Sequence, residues 1–427
     1  MADFYYRKRV ADALLKDCLE TAGAVLVQGP KWCGKTTTCE QQAASKVMLA
    51  NPEVLAESKQ MAQINMSGLL AGSSPRLFDE WQSLPVLWDS IRYEVDRRRG
   101  TGYFILTGSA VPVDPSQIQH TGTGRYAWLR MRPMSLWESG DSTGEVSLGS
   151  LFEQDGRIVS GQNSHTLDNI AHLICRGGWP DSLERSPKSA LKTAYNYIDA
   201  LAESDVSRVD ETLRNPKRIR LLMRSVARLQ GSQAPISVIR SDMLANDEQS
   251  LSEKTIASYI NALEKLFVIE DMPAWSVNLR SKSAIRTSNT RYYVDPSIAV
   301  AALGITPQKL TKDLNTMGFL FETMCVRDLR VYADAIDAKV YHYRDKDELE
   351  CDAVIELRDG SYGLVEVKLG GMDNIEAAQH SMLKLQKKIN TDKAGEPRFR
   401  MVLTGVGNYA FTMPDGTHVV PIGCLKP

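Results

Sequence analysis

Hydrophobic positions along this chain recur with two periods, and the period changes with place. Residues 1–20 carry apolar side chains at helical spacing and predict an amphipathic helix. Short apolar runs follow at 24–27, 76–78 and 103–106, too brief for helices and ending in loop, acidic or hydroxyl residues. Between the last two, 84–99 reads as a helix with Leu87, Ile91 and Val95 on one stripe. Strands alternating with helices predict a parallel sheet covered by helices. Residues 139–164 form a looser Gly/Ser stretch, expected to be a boundary or a surface insertion. From 165 to 266 the pattern is mostly helical. Beyond 338 it turns to strand alternation at 339–344, 349–357 and 362–369, then a helix at 374–389 and a strand at 399–403. That tail predicts an α/β unit of its own.

Composition narrows the class. The 427 residues are 43% hydrophobic and 24% charged, as expected of a soluble globular protein. Lys+Arg 51 against Asp+Glu 52 gives a net charge of -1, which excludes a globally basic nucleic-acid coat but leaves room for a local patch. No apolar run approaches the ~18 residues of a membrane helix, and the start lacks the apolar core of a signal peptide. Seven scattered cysteines without a CxxC, and six dispersed histidines without an HExxH, argue against a zinc site or disulfide frame. A cytoplasmic protein with no membrane partner is expected.

The chemistry begins at Gly29-Pro30-Lys31-Trp32-Cys33-Gly34-Lys35-Thr36, which matches G-x-x-x-x-G-K-[ST] between a strand and a helix. Glycines let backbone N–H groups close around phosphates, and the helix N-terminus adds positive potential. ATP is the expected ligand of this loop, with Thr37 at its end. Lys35 would reach the β- and γ-phosphates, and Thr36 would ligate Mg²⁺. Asp79 ends an apolar strand, where its carboxylate can join the Mg²⁺ shell through water, and Glu80 can polarise the attacking water. The strand ending Thr107-Gly108-Ser109 can offer a hydroxyl near the γ-phosphate. Arg125, in Thr123-Gly124-Arg125, is a candidate arginine finger on a neighbouring subunit's nucleotide.

With GPKWCGKTTT, PRLFDEWQ, FILTGS and TGTGRYAWLRMRPMSLWE, the chain resembles a bacterial and archaeal family of AAA-type ATPases. Members of that family carry a C-terminal domain of uncertain function related to endonucleases. Gly177-Gly178-Trp179-Pro180 resembles the family's Gly-Gly-aromatic-Pro turn, and Tyr292-Tyr293-Val294-Asp295 matches too. The resemblance covers most of the chain, least of all 139–164.

In the middle of the chain, 216–230 shows Lys217, Arg220, Arg224 and Arg228 on one helical face. Ser252 can cap a helix running to Leu266, with Ile256, Ile260, Leu263 and Phe267 as its buried stripe. Lys254, Ser258, Asn261 and Lys265 form the opposite, polar stripe. A strand at 268–275, a loop with Arg280, Lys282, Arg286 and Arg291, and a return strand at 292–294 complete the order of a winged helix. Such a module sets one helix in a groove and its wing on phosphate; the resemblance implies the same module.

The tail carries Asp352, Glu366 and Lys368, with Glu322 upstream in a helical segment at 318–331. Carboxylates on one sheet face can bind Mg²⁺, and a neighbouring lysine can orient water or stabilise developing charge. The set matches the D…(D/E)xK pattern of the restriction-enzyme and Holliday-junction-resolvase fold. Register decides whether the acids meet. A two-residue turn at Asp359-Gly360 puts them on opposite faces, whereas a three-residue loop, Arg358-Asp359-Gly360, pairs Asp352 with Glu366.

Together these readings predict a multidomain α/β protein. An AAA-type ATPase domain with a parallel sheet spans 1–160, and a helical lid or linker 161–210. A winged-helix DNA-binding domain spans 211–305, and a nuclease-like α/β domain 306–427. The expected activity is Mg²⁺-dependent ATP hydrolysis in a homo-oligomer, a dimer or ring, coupled to moving or remodelling duplex or branched junction DNA. Two other readings stay open: a nucleotide-operated switch that binds a partner, and an ATP-gated, metal-dependent DNA endonuclease.

Overall fold

Alternate side chains of the first strand are buried on opposite sides, which explains why it reads as an unbroken apolar run. In the computed structural model this strand, β1, is Ala24–Gln28. The structure describes residues 6–109, 122–153, 158–209, 212–245, 251–276, 288–389 and 395–427. Ala24 and Leu26 pack with Phe78, Phe104 and Leu106 against Trp88, Ile91 and Val95 of the helix Leu87–Arg98. Val25 and Val27 pack with Leu77 and Ile105 against Leu15 and Leu19 of the helix Val10–Thr21. The remaining strands of this sheet are β2 (Ser45–Met48), β3 (Arg76–Asp79), β4 (Phe104–Gly108) and β5 (Tyr126–Arg130). All pairings are parallel, in the order β2-β3-β4-β1-β5.

Among the described residues the first helix begins at Val10, and Arg9 just before it is diverted. Its guanidinium donates to the carbonyls of Cys33 and Arg132, both at 2.8 Å, and its backbone N–H is capped by Asp12 at 2.7 Å.

The chain forms two compact units, and they do not follow the divisions expected from sequence. The first comprises 1–133, 200–215 and 259–268; the second comprises the rest. The boundary expected at residue 160 moves to 133 because 139–164 is not a free insertion. It contributes β6 (Val146–Ser147) and β7 (Gly161–Gln162) to strands of the tail. Thus β6 pairs with the last strand, and β7 closes the edge of the large tail sheet.

In the second unit the helices Pro216–Arg228 and Ile236–Leu244 precede a ribbon of β8 (Ile269–Met272) and β9 (Thr290–Tyr293). An isolated antiparallel bridge joins Ser232 to Arg291. The helix Glu253–Lys265 lies between them in sequence. The basic stripe on Pro216–Arg228 is less free than its spacing suggests: Arg220 pairs with Asp199 at 2.8 Å and Arg228 with Asp242 at 3.3 Å.

The tail sheet contains β10 (Lys339–Arg344), β11 (Glu350–Glu356), β12 (Tyr362–Lys368), β13 (Phe399–Thr404), β14 (Tyr409–Thr412) and β15 (His418–Pro421). With β7 it is seven-stranded, in the order β10-β11-β12-β13-β15-β14-β7. The final strand, β16 (Leu425–Lys426), pairs with β6. The helix Met372–Lys388 buries Ile375, Ala378, Met382 and Leu385 against Val354, Leu364 and Val402.

A buried charge network joins four distant segments of this unit. Arg327, on the helix Leu314–Asp334, pairs with Asp295 at 2.9 Å and with Asp328 at 2.7 Å, all three at most 2% exposed. Asp295 accepts from the backbone of Gly178 at 2.9 Å, and Asp328 from the backbone of Leu136 at 3.0 Å. Gly178 is obligatory there: a Cβ would lie 2.1 Å from the Met134 carbonyl oxygen. Removing one member of such a set leaves buried charge uncompensated, at a cost of about 3–5 kcal/mol. Arg327→Met should therefore lower the free energy of unfolding by an amount in that range, read from urea denaturation followed by circular dichroism; a value within error of the parent would rule out this role.

Candidate functional site

The phosphate loop leaves the C-terminal end of β1 and enters the helix Lys35–Glu40. Gly34 sits at φ +98, the left-handed region that glycine adopts without strain, and a Cβ on Gly29 would lie 2.2 Å from the Met131 carbonyl oxygen. Both glycines are therefore demanded by the backbone path. Lys35 is buried, and its ammonium donates to the carbonyls of Gly29 at 3.0 Å and Pro30 at 2.9 Å. Pro30 and Cys33 are buried, Lys31, Thr36 and Thr37 are half-buried, and Trp32 is exposed.

Asp79 ends β3 and is buried at the centre of this site. Its Oδ1 accepts from the hydroxyls of Thr36 and Thr107, each at 2.6 Å. One oxygen thus joins the phosphate-loop helix to the ends of two neighbouring strands. Glu80 follows with a left-handed backbone, φ +55, which turns its side chain away from the strand direction. Its N–H donates to Thr107 Oγ1 at 3.3 Å. Its carboxylate accepts from Ser109 Oγ at 3.3 Å and from the Gln82 amide. Gln82 and Arg9 escaped sequence reasoning. Gln82 had a signal, standing two residues after the acidic pair, whereas Arg9 looked like an ordinary basic residue before a helix.

These residues fit a bound Mg–nucleotide. An ammonium that now rests on neutral carbonyls, a loop of backbone donors, and two hydroxyls gathered on one carboxylate form a suitable donor set for phosphate and a hard cation. Arg125 lies elsewhere. It is at the opposite end of the parallel strands from the phosphate loop, since its carbonyl accepts from Ala24 at the start of β1. Its guanidinium pairs with Asp96 at 2.7 Å.

Residues 21–139 match a family model described as AAA domain. The N-terminal unit holds a parallel-sheet, P-loop ATPase-like domain. Two further models, each described as a domain of unknown function (DUF8612 and DUF4143), match 167–309 and 317–425. The chain is similar along 97% of its length to an uncharacterized protein of Mycobacterium bovis and to one of Mycobacterium tuberculosis, at 23% identity each over 83% of theirs. Among solved structures it is similar to a Walker-type ATPase of Pyrococcus abyssi, with TM-score 0.42 and 16% identity over 70% of this chain and 96% of that one. The Aeropyrum pernix Orc1 protein in complex with DNA gives TM-score 0.26 and 14% identity, over 71% and 94%. No helix among the described residues is long and apolar enough to cross a membrane.

Along the helix Glu253–Lys265 the polar stripe leaves Lys254, Ser258 and Asn261 exposed and Lys265 half-buried. Arg280, Lys282 and Arg286 lie outside the described residues. In the tail, β11 and β12 pair Ala353 with Val365 and Glu356 with Tyr362. Leu357 N–H donates to Ser361 at 2.8 Å, so the connection is the three-residue loop, with Gly360 at φ +87. Continuing that register puts Asp352 opposite Glu366 on one face. Lys368 Nζ stands between them, 2.8 Å from Glu366 and 3.5 Å from Asp352. Asp352 also accepts from the backbone of Val367 at 2.7 Å. Among the described residues, no three His, Cys, Asp or Glu side chains are arranged to hold a metal ion. The expected set Glu322, Asp352 and Glu366 is thus not a preformed cage, and the Lys368 ammonium bridges the latter two acids.

Glu322 belongs to the same neighbourhood, and Tyr292 of β9 donates to its Oε1 at 2.6 Å. Gly231 backs it closely, since a Cβ there would lie 2.8 Å from that oxygen. Sequence spacing could not have found Tyr292 or Gly231, because both come from a different segment. Burial, with the Asp352 charge adding, pushes the Glu322 carboxyl well above the ordinary glutamate range. Glu366 is pushed up by burial and then Asp352, against the pull of Lys368. Burial opposes the Lys368 charge, but Asp352 and Glu366 outweigh it and raise its pKa.

A carboxyl with a higher pKa folded than unfolded loses stabilisation as pH climbs from the unfolded value through the folded one. Glu322→Gln, which keeps an acceptor for Tyr292, should flatten the fall in melting temperature across that window. It should also melt higher than the parent on the alkaline side. Parallel melting curves would show that Glu322 ionises as it would in water.

Proposed function

We propose that this protein is a Mg²⁺-dependent ATP hydrolase coupled to DNA. The observation that carries the ATPase half is Asp79 accepting from Thr36 and Thr107 beside Glu80. In this reading Lys35 leaves its two carbonyls for the β- and γ-phosphates. Thr36 directly, and Asp79 through water, would hold magnesium, which would supply charge neutralisation on the phosphate oxygens. Glu80, oriented by Ser109 and Gln82, positions the attacking water and draws on its proton. Arg125 faces away from its own phosphate loop, which supports a role only on a neighbouring copy in a homo-oligomer.

The DNA half is supported by the exposed Lys254, Ser258 and Asn261, with Lys265, on the helix before the β8–β9 ribbon. The order helix, bridge, helix, helix, strand, strand supports a winged helix, with Arg280 and Lys282 as wing contacts. The Asp352, Glu366 and Lys368 cluster supports engagement of a phosphodiester backbone by a nuclease-like tail, at duplex or branched DNA. Its second reading is metal-dependent cleavage, with Glu322, Asp352 and Glu366 as ligands once Lys368 swings aside. A cytoplasmic location accords with this function.

Lys35→Ala should weaken ATP binding tenfold or more, because a charge-assisted bond to phosphate is worth about 1.5–3 kcal/mol. Glu80→Gln should still bind ATP and lose about a hundredfold or more in turnover, the usual size of a general-base contribution. Turnover per chain should rise with protein concentration and be lost in Arg125→Ala. Calorimetric titration with ATP measures the binding and steady-state phosphate release the turnover; full turnover in Glu80→Gln or in a strict monomer would reject the respective roles.

Replacing Lys254 and Lys265 by Gln should reduce the salt dependence of duplex binding, by roughly 0.9 in log–log slope per lost phosphate contact. An unaltered slope would clear this face of DNA. Incubating branched and duplex DNA with Mn²⁺ tests the cleavage reading. Nicking abolished by Asp352→Ala, with ATP turnover intact, supports it, and the absence of nicking by the parent rejects it.

A further inference from the structure

Lys31 lies in the phosphate loop itself, yet its ammonium is paired with Asp205 at 2.7 Å. The carboxylate is 8% exposed and the lysine 41%. Asp205 ends a wide π-type turn, Leu201–Asp205, a form of helix distortion that recurs at functional positions. Ser204 donates to the same oxygen at 3.4 Å. Just beyond, Arg214 is buried and donates to the Val206 carbonyl at 2.7 Å, closing the segment on itself. Residues 200–215 belong by contact to the ATPase unit, whereas the chain on either side of them belongs to the other unit.

Two lysines of the loop are therefore engaged by protein acceptors, but unequally. Lys35 rests on neutral carbonyls, which a phosphate readily outcompetes. Lys31 rests on a nearly buried carboxylate, and that carboxylate repels phosphate across the same loop. One ammonium cannot serve the carboxylate and the nucleotide at full strength together. We propose that Asp205 is a positioning residue that sets nucleotide affinity through Lys31. Nucleotide entry exchanges the Lys31–Asp205 pair for a Lys31–phosphate pair and frees the 201–205 turn. This rests on the ATP reading of the loop and adds to it a second phosphate-directed lysine and its restraint. The coupling is reciprocal: whatever holds the 200–215 segment in its paired form must weaken nucleotide binding by the same factor.

The test is titration of the full-length protein with ATP and with ADP, by calorimetry. Asp205→Asn should tighten binding about two- to fivefold, the size expected of an ion pair with one exposed partner. Lys31→Met should weaken it, and the double variant should behave like Lys31→Met alone. A merely structural ion pair predicts otherwise, with both single variants weaker. Unchanged or weaker binding in Asp205→Asn, or a gain that persists without Lys31, overturns the proposal. A parent that binds no nucleotide would instead refute the ATP reading. Limited trypsin digestion of the parent gives a measurement that needs no variant. ATP should speed cleavage after the exposed Arg208, and slower or unaltered cleavage overturns the proposal.

Discussion

One buried guanidinium organises the larger unit. Arg327 stands between Asp295 and Asp328, and those two carboxylates reach on to the backbones of Gly178 and Leu136. A charge taken this far from water is tolerable only when paired and hydrogen-bonded on every side. That demand ties the stretch leaving the ATPase domain, the Gly-Gly-Trp-Pro turn, the end of the β8–β9 ribbon and the tail helix into one arrangement. Trp179, whose ring nitrogen donates to Ser297 at 2.9 Å, fills the space beside it. The motifs that look independent in the sequence are thus partners in a single network.

The ATPase domain depends on a different constraint, the common direction of parallel strands. Because β1, β3 and β4 all run the same way, their C-terminal ends bring Gly29, Asp79 and Thr107 to one edge of the sheet. The same rule carries Arg125, before β5, to the other edge. A residue there has no route to its own phosphate loop, and this makes a second copy a chemical requirement if Arg125 is to act.

The tail gathers its polar residues by register. Opposed positions on β11 and β12 bring Asp352, Glu366 and Lys368 together, and Tyr292 and Gly231 approach Glu322 from the ribbon. Burial, and then the Asp352 charge, raises the carboxyl pKa values of Glu322 and Glu366, so these two glutamates sit where an added cation changes their balance most. Lys368 supplies part of that compensation now.

Much of this was legible in the sequence because it is local. The G-x-x-x-x-G-K-T pattern carries its own backbone requirement, and strand ends marked by Asp79 and Thr107 are visible as apolar runs that stop at a polar residue. The three-residue loop at Arg358-Asp359-Gly360 could be weighed from a glycine at φ > 0, though only pairing selected it over the shorter turn. What sequence could not supply is any contact between distant segments. Residues 139–164 looked like a boundary or a surface insertion, since strands as short as β6 and β7 have no periodicity to read; they exist only through pairing with β16 and β14. Basic side chains at helical spacing suggested one free face, yet Asp199 and Asp242 neutralise Arg220 and Arg228 from other helices. Asp205 and Arg9 reach the phosphate loop from far along the chain, and nothing in their neighbours marks them. Sequence determined which backbone could close around a phosphate; tertiary structure decided which charges stand near it, because electrostatic partnership depends on distance in space and not on separation along the chain.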